Sequence, residues 1–424
     1  MAEADPLSAG ERDALMRAAR PRRDLPLVAA SREIRRLPLF AQPREIDKRY
    51  RPIYAVWEIT LACDLSCRHC GSRAGHARPD ELSTDECLDV VDQLAELGVM
   101  EVILIGGEVY LREDFCTIIA RIRDRGMQPL MTTGGRGLTR EHARAAAGAG
   151  LVSASVSIDG NQATHDRLRG VAGSYQAALA AMRHLHEAGV RVSANTQINR
   201  LSMRELPDVL ETIIANGAHS WQIQITVAMG RAADEPDVLI QPYDLLELFP
   251  VLARLQDRCL DAGVLLWPGN NVGYFGPYET KLRGTMARGH MASCGAGRSG
   301  IGIESNGTIK GCPSLATAAW GGGNVRDHRI EEIWERSARL RYTRDRTVED
   351  LWGFCRTCYY ADTCRAGCTW TSESLLGKPG NNPLCHHRAL EHQRLGKRER
   401  LVQIARAPGV PFDNGKFEIV VEDL

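Results

Sequence analysis

The chain has 424 residues, with 53 basic and 53 acidic side chains and a formal net charge of zero. A balanced charge gives no electrostatic reason to expect nucleic acid or an anionic membrane as partner, and no secretory signal or apolar run near the length of a membrane span is present. Of the thirteen cysteines, ten fall into clusters that read as metal ligands rather than disulfide partners, and the expected compartment is cytoplasmic.

In chain order, residues 1–51 are rich in Arg, Pro and Ala and read as an N-terminal arm with one short helix expected over 10–19. From Tyr54, short apolar runs alternate with longer amphipathic segments. Strands are predicted at 54–60, 101–105, 128–133, 151–158, 191–198 and 221–227, and helices at 84–98, 113–126, 139–149, 174–189 and 202–217. Gly98, Gly126, Gly150, Gly189 and Gly217 stand where each helix should close, and Ser83, Thr139 and Ser202 are expected N-caps. This alternation, over residues 52–240, predicts an α/β fold with a parallel sheet. A bridging region, 241–290, holds a helix at 243–262 and a loop with Trp267, Tyr274, Phe275 and Tyr278, which serves equally well as a groove lining or as packing. Residues 291–390 are rich in cysteine, and 391–424 are read as a C-terminal tail.

The first chemical signal is Cys63-Asp-Leu-Ser-Cys67-Arg-His-Cys70, directly after the first predicted strand. Three thiolates at this spacing can hold three irons of a cubane cluster and leave the fourth open to a substrate or cofactor. The competing readings are a structural zinc site, which would need a fourth ligand that does not stand beside these three, and unrelated buried thiols. Cys87, Cys116 and Cys259 sit singly in apolar helical patterns and are assigned to packing.

The CxxxCxxC spacing, with His69 before its last cysteine, resembles the signature of the radical S-adenosylmethionine (SAM) enzymes. That resemblance implies a partial (β/α)6 barrel with ligands at the C-terminal strand ends, and SAM held on the open iron. It assigns Gly106, Gly107 and Glu108, after the second strand, to the SAM amino group, although Val109-Tyr110 follows where the family commonly has Pro. Ser157 and Arg169 are matched to the groups that hold the SAM ribose and carboxylate; His69 joins this cofactor set. Gly230-Arg231-Ala232 also resembles the family, with no chemistry assigned.

The second signal is Cys294, a hairpin over 301–312 with Asn306-Gly307 expected to form a type I′ turn, Cys312, then Cys355-x2-Cys358-x5-Cys364-x3-Cys368 and Cys385. This order resembles the SPASM domain; a module binding two zinc ions is the competing reading. The resemblance assigns Cys294, Cys312 and Cys368 to a first auxiliary cluster and Cys355, Cys358, Cys364 and Cys385 to a second. Fully ligated relatives carry another cysteine where Gly300 stands, so the first auxiliary cluster has either an open iron or a ligand from elsewhere in the chain. Pro313 after Cys312 argues against sulfatase maturation, where relatives have Asp.

The resulting expectation is a radical SAM/SPASM oxidoreductase with three 4Fe-4S clusters and SAM, maturing a ribosomally synthesised precursor peptide by crosslinking, thioether formation or a related C–H functionalisation. Radical modification of a cofactor or porphyrin side chain is the alternative, followed by a non-catalytic iron-sulfur electron carrier. Expected partners are the precursor peptide, a flavodoxin or ferredoxin-type electron donor and a separate leader-peptide-binding protein, with no nucleic acid and no membrane.

Overall fold

Six apolar runs form parallel strands: β1 (Tyr54–Thr60), β2 (Glu101–Gly106), β3 (Gln128–Thr133), β4 (Ser153–Ser157), β5 (Arg191–Ile198) and β6 (Ser220–Ile225). The computed structural model describes residues 39–424 apart from 41, 285, 287, 288 and 292; the helix expected over 10–19 lies outside the described residues. The six strands follow one another in sheet order with helices between them, as expected for a partial (β/α)6 barrel. All five helix-closing glycines have positive φ, a conformation that costs glycine least.

The sheet continues past the barrel on both sides. β7 (Leu265–Pro268) adds in parallel to β6, and β8 (Gly300–Ile303) adds in parallel to β1. Antiparallel β9 (Thr308–Lys310) and β10 (Gly323–Asn324) complete ten strands in the order β10-β9-β8-β1-β2-β3-β4-β5-β6-β7. The start of the cysteine-rich region is thus hydrogen-bonded directly to the first barrel strand. Ile301, Ile303, Ile309, Ile333 and Trp334 share one buried core with Trp57 and Leu104.

Ser83 and Thr139 cap their helices, their hydroxyls accepting from the backbone N–H groups of Glu86 and His142. Ser202 does not: the next helix, Leu206–Ala215, starts later with Pro207 in its first turn, where proline's missing N–H costs nothing. Ser202 instead accepts from the Asn199 N–H within the preceding turn. The Asn306-Gly307 turn also differs, since only Gly307 has positive φ; the loop is closed by its N–H donating to the Glu304 carbonyl, not by a two-residue type I′ turn. The segment 162–169, for which no element was predicted, is a helix, Gln162–Arg169, ended by left-handed Gly170. Cys87 and Cys259 lie in the main core and Cys116 packs against it.

Residues 391–424 are no loose tail. After the helix His386–Arg394, β11 (Lys397–Ala405) and β12 (Lys416–Asp423) pair as an antiparallel hairpin whose Leu401 and Phe417 enter the main core. At its base buried Arg388 makes a two-pronged pair with buried Glu399 (2.6 and 2.7 Å) and also donates to the Asn381 side chain (2.6 Å). Removing one member strands the other charge out of water. Glu399→Ala should therefore destabilise the apoprotein by about 3–5 kcal/mol, whereas the double change Arg388→Met/Glu399→Leu should cost much less. Urea unfolding of the two variants measures the difference.

Candidate active site and auxiliary metal centres

The Cys63–Cys70 loop leaves the C-terminal end of β1 and is held from three directions. Its start is zipped to Gly75, the Cys63 N–H donating to the Gly75 carbonyl (3.1 Å). The N–H groups of Ser66 and Arg68 donate to the carbonyls of Arg169 and Leu168, so the loop satisfies the end of the helix Gln162–Arg169, whose last carbonyls have no partner within the helix. Arg231 grips the other side: its backbone N–H donates to the Cys70 carbonyl, and its guanidinium donates to the Cys67 carbonyl (2.7 Å) and the Ala74 carbonyl (3.0 Å). Gly230 and Gly170 lie so close that a Cβ on either would collide with a loop carbonyl, that of Cys70 or of Ser66. The Gly230-Arg231 segment, recognised without a role from sequence, is thus the clamp on the cysteine loop.

Gly106 and Gly107 let the end of β2 cross the end of β1, since a Cβ on either would strike the Thr60 or Ala62 carbonyl. This brings Glu108 beside the loop: ligand atoms of Cys63, Asp64 and Glu108 lie within 4.8 Å of one another. The Glu108 carboxylate accepts from Thr133 Oγ1 and the Gly134 N–H, and burial pushes its pKa up to about 7. Val109-Tyr110-Leu111 form a short 3-10 turn, and the Tyr110 hydroxyl donates to Asp64 (3.0 Å).

Arg169 is buried with one nitrogen on Asp159 Oδ2 (2.6 Å) and another 3.7 Å from the Cys67 thiol. Asp159 also faces His69 Nε2 at 3.3 Å and accepts from the Gln197 N–H at 2.9 Å. Against the penalty of burial, the Arg169 guanidinium, with the His69 ring beside it, holds the Asp159 carboxyl far below its usual range. Asp159 is a site residue that the sequence reading missed; its signal, an acid just after a strand end, is too common to stand out. Ser157, at the end of β4, donates to Asn195 of β5 (3.3 Å). Cys63, Cys67 and Cys70 lie near enough for their charges to interact, and burial raises Cys63 to about 12 and Cys67 to about 11.

The other seven thiols fall into two separate sets. Cys294, Cys312 and Cys368 are mutually close: Cys368 is raised to about 12, first by burial and then by the other two. Cys355, Cys358, Cys364 and Cys385 line a cavity with Tyr274, Phe275, Phe354 and Tyr360. Cys368, four residues past Cys364, therefore joins the earlier thiols. Tyr274 stands between the sets, accepting from the Cys368 N–H (3.0 Å) while its backbone carbonyl faces the Cys385 thiol (3.7 Å). Phe275 stacks on Tyr360 at 4.5 Å, so these aromatics pack the thiol sites, while Trp267 remains exposed. Soft donors grouped by three, three and four suit iron-sulfur clusters; among the described residues neither three-thiol set has a fourth thiol, although Asp64 and Glu108 stand beside Cys63.

The model of the Radical SAM superfamily matches residues 57–213, and that of SPASM, an iron-sulfur cluster-binding domain, matches residues 294–359. The chain belongs to the radical SAM superfamily. It is 30% identical over 355 residues to the AdoMet-dependent heme synthase of Nitratidesulfovibrio vulgaris, covering 78% of this chain and 91% of the relative. It is also 30% identical over 339 residues to mycofactocin maturase MftC of Mycobacterium tuberculosis, covering 79% and 83%. Among solved structures, Streptococcus suis SuiB bound to precursor peptide SuiA aligns with TM-score 0.61 and 16% identity over 79% of this chain and 76% of SuiB. Native anSMEcpe with AdoMet and a peptide aligns with TM-score 0.63 and 15% identity, over 80% and 95%. The chain is a radical SAM enzyme, and its two domains imply 4Fe-4S clusters and SAM. Among the described residues no helix is long and apolar enough to cross a membrane.

Asp159 orients both Arg169 and His69 beside the first thiol set, and loss of such a supporting partner commonly costs about 10–100-fold in activity. Asp159→Asn, which keeps the shape and removes the charge, should lower SAM cleavage by about that factor while leaving most of the iron bound. Iron analysis and 5′-deoxyadenosine release, measured together, test this; an unchanged cleavage rate would contradict the positioning role.

Proposed function

We propose that the protein is a radical SAM/SPASM maturase that functionalises a C–H bond of a ribosomally synthesised precursor peptide. Cys63, Cys67 and Cys70 would hold the SAM-binding cluster, Cys294, Cys312 and Cys368 the first auxiliary cluster, and Cys355, Cys358, Cys364 and Cys385 the second. When bound, the first cluster and SAM supply a 5′-deoxyadenosyl radical that takes a hydrogen atom from the substrate.

The chain's own residues do the positioning. Glu108 is placed to accept from the SAM ammonium, and Gly106 and Gly107 keep its backbone hard against the cysteine loop. Arg169, anchored on Asp159, keeps a nitrogen toward Cys67, where a carboxylate bound beside the thiols would meet it. Ser157 and Asn195 offer hydroxyl and amide groups for the ribose.

The observation that carries the peptide reading is the polar face of the sheet. Along β4 to β6, Ala154, Val156, Val192, Ala194, Trp221 and Ile223 pack into the main core; the alternate positions Ser155, Ser193, Asn195, Gln197, Gln222 and Gln224 are half-buried. A row of side-chain amides and hydroxyls suits the backbone of an extended peptide better than a planar apolar macrocycle. The likeness to mycofactocin maturase MftC supports this reading. The likeness to AdoMet-dependent heme synthase favours a second reading, modification of a porphyrin side chain. A flavodoxin or ferredoxin-type protein would supply the electron, and a separate leader-binding protein would present the peptide.

The test is a paired incubation of anaerobically reconstituted enzyme, reductant and SAM with a candidate precursor peptide, sought among the reading frames neighbouring the gene, or with an iron porphyrin. Faster 5′-deoxyadenosine release and a mass change in the peptide are the expected result; a mass change in the porphyrin alone would overturn the peptide reading. Without substrate, slow release should persist and should vanish on replacing Cys63, Cys67 and Cys70 by Ala.

A further inference from the structure

The two thiol sets of the C-terminal half are unequal, four in one and three in the other, and the three-thiol set has a phenol as its neighbour. Tyr54 opens β1, and its register partner across the parallel pair with β8 is Gly300. Side chains at paired positions project to the same face of a sheet. With no side chain at 300, the Tyr54 ring lies across the space one would fill: a Cβ built on Gly300 would stand 2.7 Å from Tyr54 Oη. Tyr54 is half-buried and near enough to Cys312, Cys294 and Cys368 that all three charges act on it, adding to burial in raising its pKa.

Three neighbouring polar side chains are otherwise engaged, and the hydroxyls of Ser314 and Thr371 lie against the Cys312 and Cys368 thiols themselves. Lys310 is held by Glu304 and the Leu315 carbonyl, both at 2.7 Å. The Tyr274 hydroxyl donates to the Asn270 carbonyl and accepts from the Cys368 N–H. Tyr342 interacts with Cys294 of this set and more strongly with Arg346.

We propose that Tyr54 completes the first auxiliary site, its oxygen serving as the fourth protein donor to the iron that Cys294, Cys312 and Cys368 leave without a thiolate. This rests on the cluster assignment made under the proposed function. Coordination makes one iron–oxygen bond and breaks the phenol O–H bond, the proton passing to solvent, with no electron transferred. The site is then closed: a substrate thiol does not bind this iron, and the first auxiliary cluster serves electron transfer. The geometry also means that a cysteine side chain introduced in place of Gly300 meets the Tyr54 ring, so Gly300→Cys alone cannot deliver a thiolate unless that ring moves.

The test compares reconstituted wild type, Tyr54→Phe and the double variant Tyr54→Ala/Gly300→Cys. Resonance Raman of the wild type should contain iron-phenolate ring modes that shift when the protein is labelled with ring-deuterated tyrosine, and both variants should lack them at unchanged iron content. Added 2-mercaptoethanol should perturb the reduced auxiliary-cluster EPR signal of Tyr54→Phe, but not that of the wild type or of the double variant, in which the introduced cysteine supplies a thiolate. Absence of phenolate modes in a wild type carrying its full iron, or the same 2-mercaptoethanol response in wild type and Tyr54→Phe, overturns the Tyr54 assignment alone. Wild-type iron too low for two auxiliary clusters overturns the cluster reading, and the Tyr54 assignment with it. Should Tyr54→Phe fail to fold, the wild-type isotope shift and the double variant still decide the matter.

Discussion

Buried thiols cannot all be charged side by side. In this chain ten thiols, each buried or half-buried, are gathered into three sets, and burial with mutual repulsion lifts Cys63, Cys368 and Cys385 to about 12 and Cys67 and Cys312 to about 11. Thiolates are the ligand form, so these sets become anionic only against a multivalent cation that returns more energy than desolvation and repulsion remove. Much of the surrounding structure consists of devices that hold the thiols together despite this: Arg231 on the carbonyls of the cysteine loop, Arg169 beside Cys67, and Arg388 near Cys355 and Cys385.

The same constraint ties the barrel to the cysteine-rich half. β8 extends the sheet from β1, so the loop carrying Cys63 and the strand leading from Cys294 toward Cys312 grow from neighbouring strands. Tyr274, from the connection between the halves, touches both auxiliary sets, and Glu399 of the C-terminal hairpin fixes Arg388 at the edge of the second. Because Cys368 crosses to the earlier set, a metal held there would join loops far apart in the chain.

The sequence was most legible where one residue type has one physical use. The five glycines that end helices, the capping Ser83 and Thr139, and the cysteine spacings all announce themselves locally. The helix Gln162–Arg169 did not, because six of its eight residues are polar and the apolar stripe that betrays a helix is missing. The hairpin β11–β12 was hidden by its charges: it begins with Lys397-Arg398-Glu399-Arg400 and ends with Glu422-Asp423, and only the pairing makes the inward row evident. Asp159 could not be found because its meaning lies in Arg169 and His69, ten residues after it and ninety before it in the chain. Arg231 was visible as part of a motif, but the carbonyls it grips belong to a loop more than 150 residues earlier.

The central claim is that the ten thiols form three independent sets with Cys368 crossing to the earlier one, and iron counting by Mössbauer spectroscopy tests it most directly. Replacing Cys355, Cys358, Cys364 and Cys385 by Ser should remove one 4Fe-4S cluster, about four irons of about twelve, and leave slow SAM cleavage intact. Replacing Cys368 alone should alter the other auxiliary cluster. A quadruple variant that keeps all its iron, or a Cys368 variant that changes the same cluster as the quadruple one, would contradict the account.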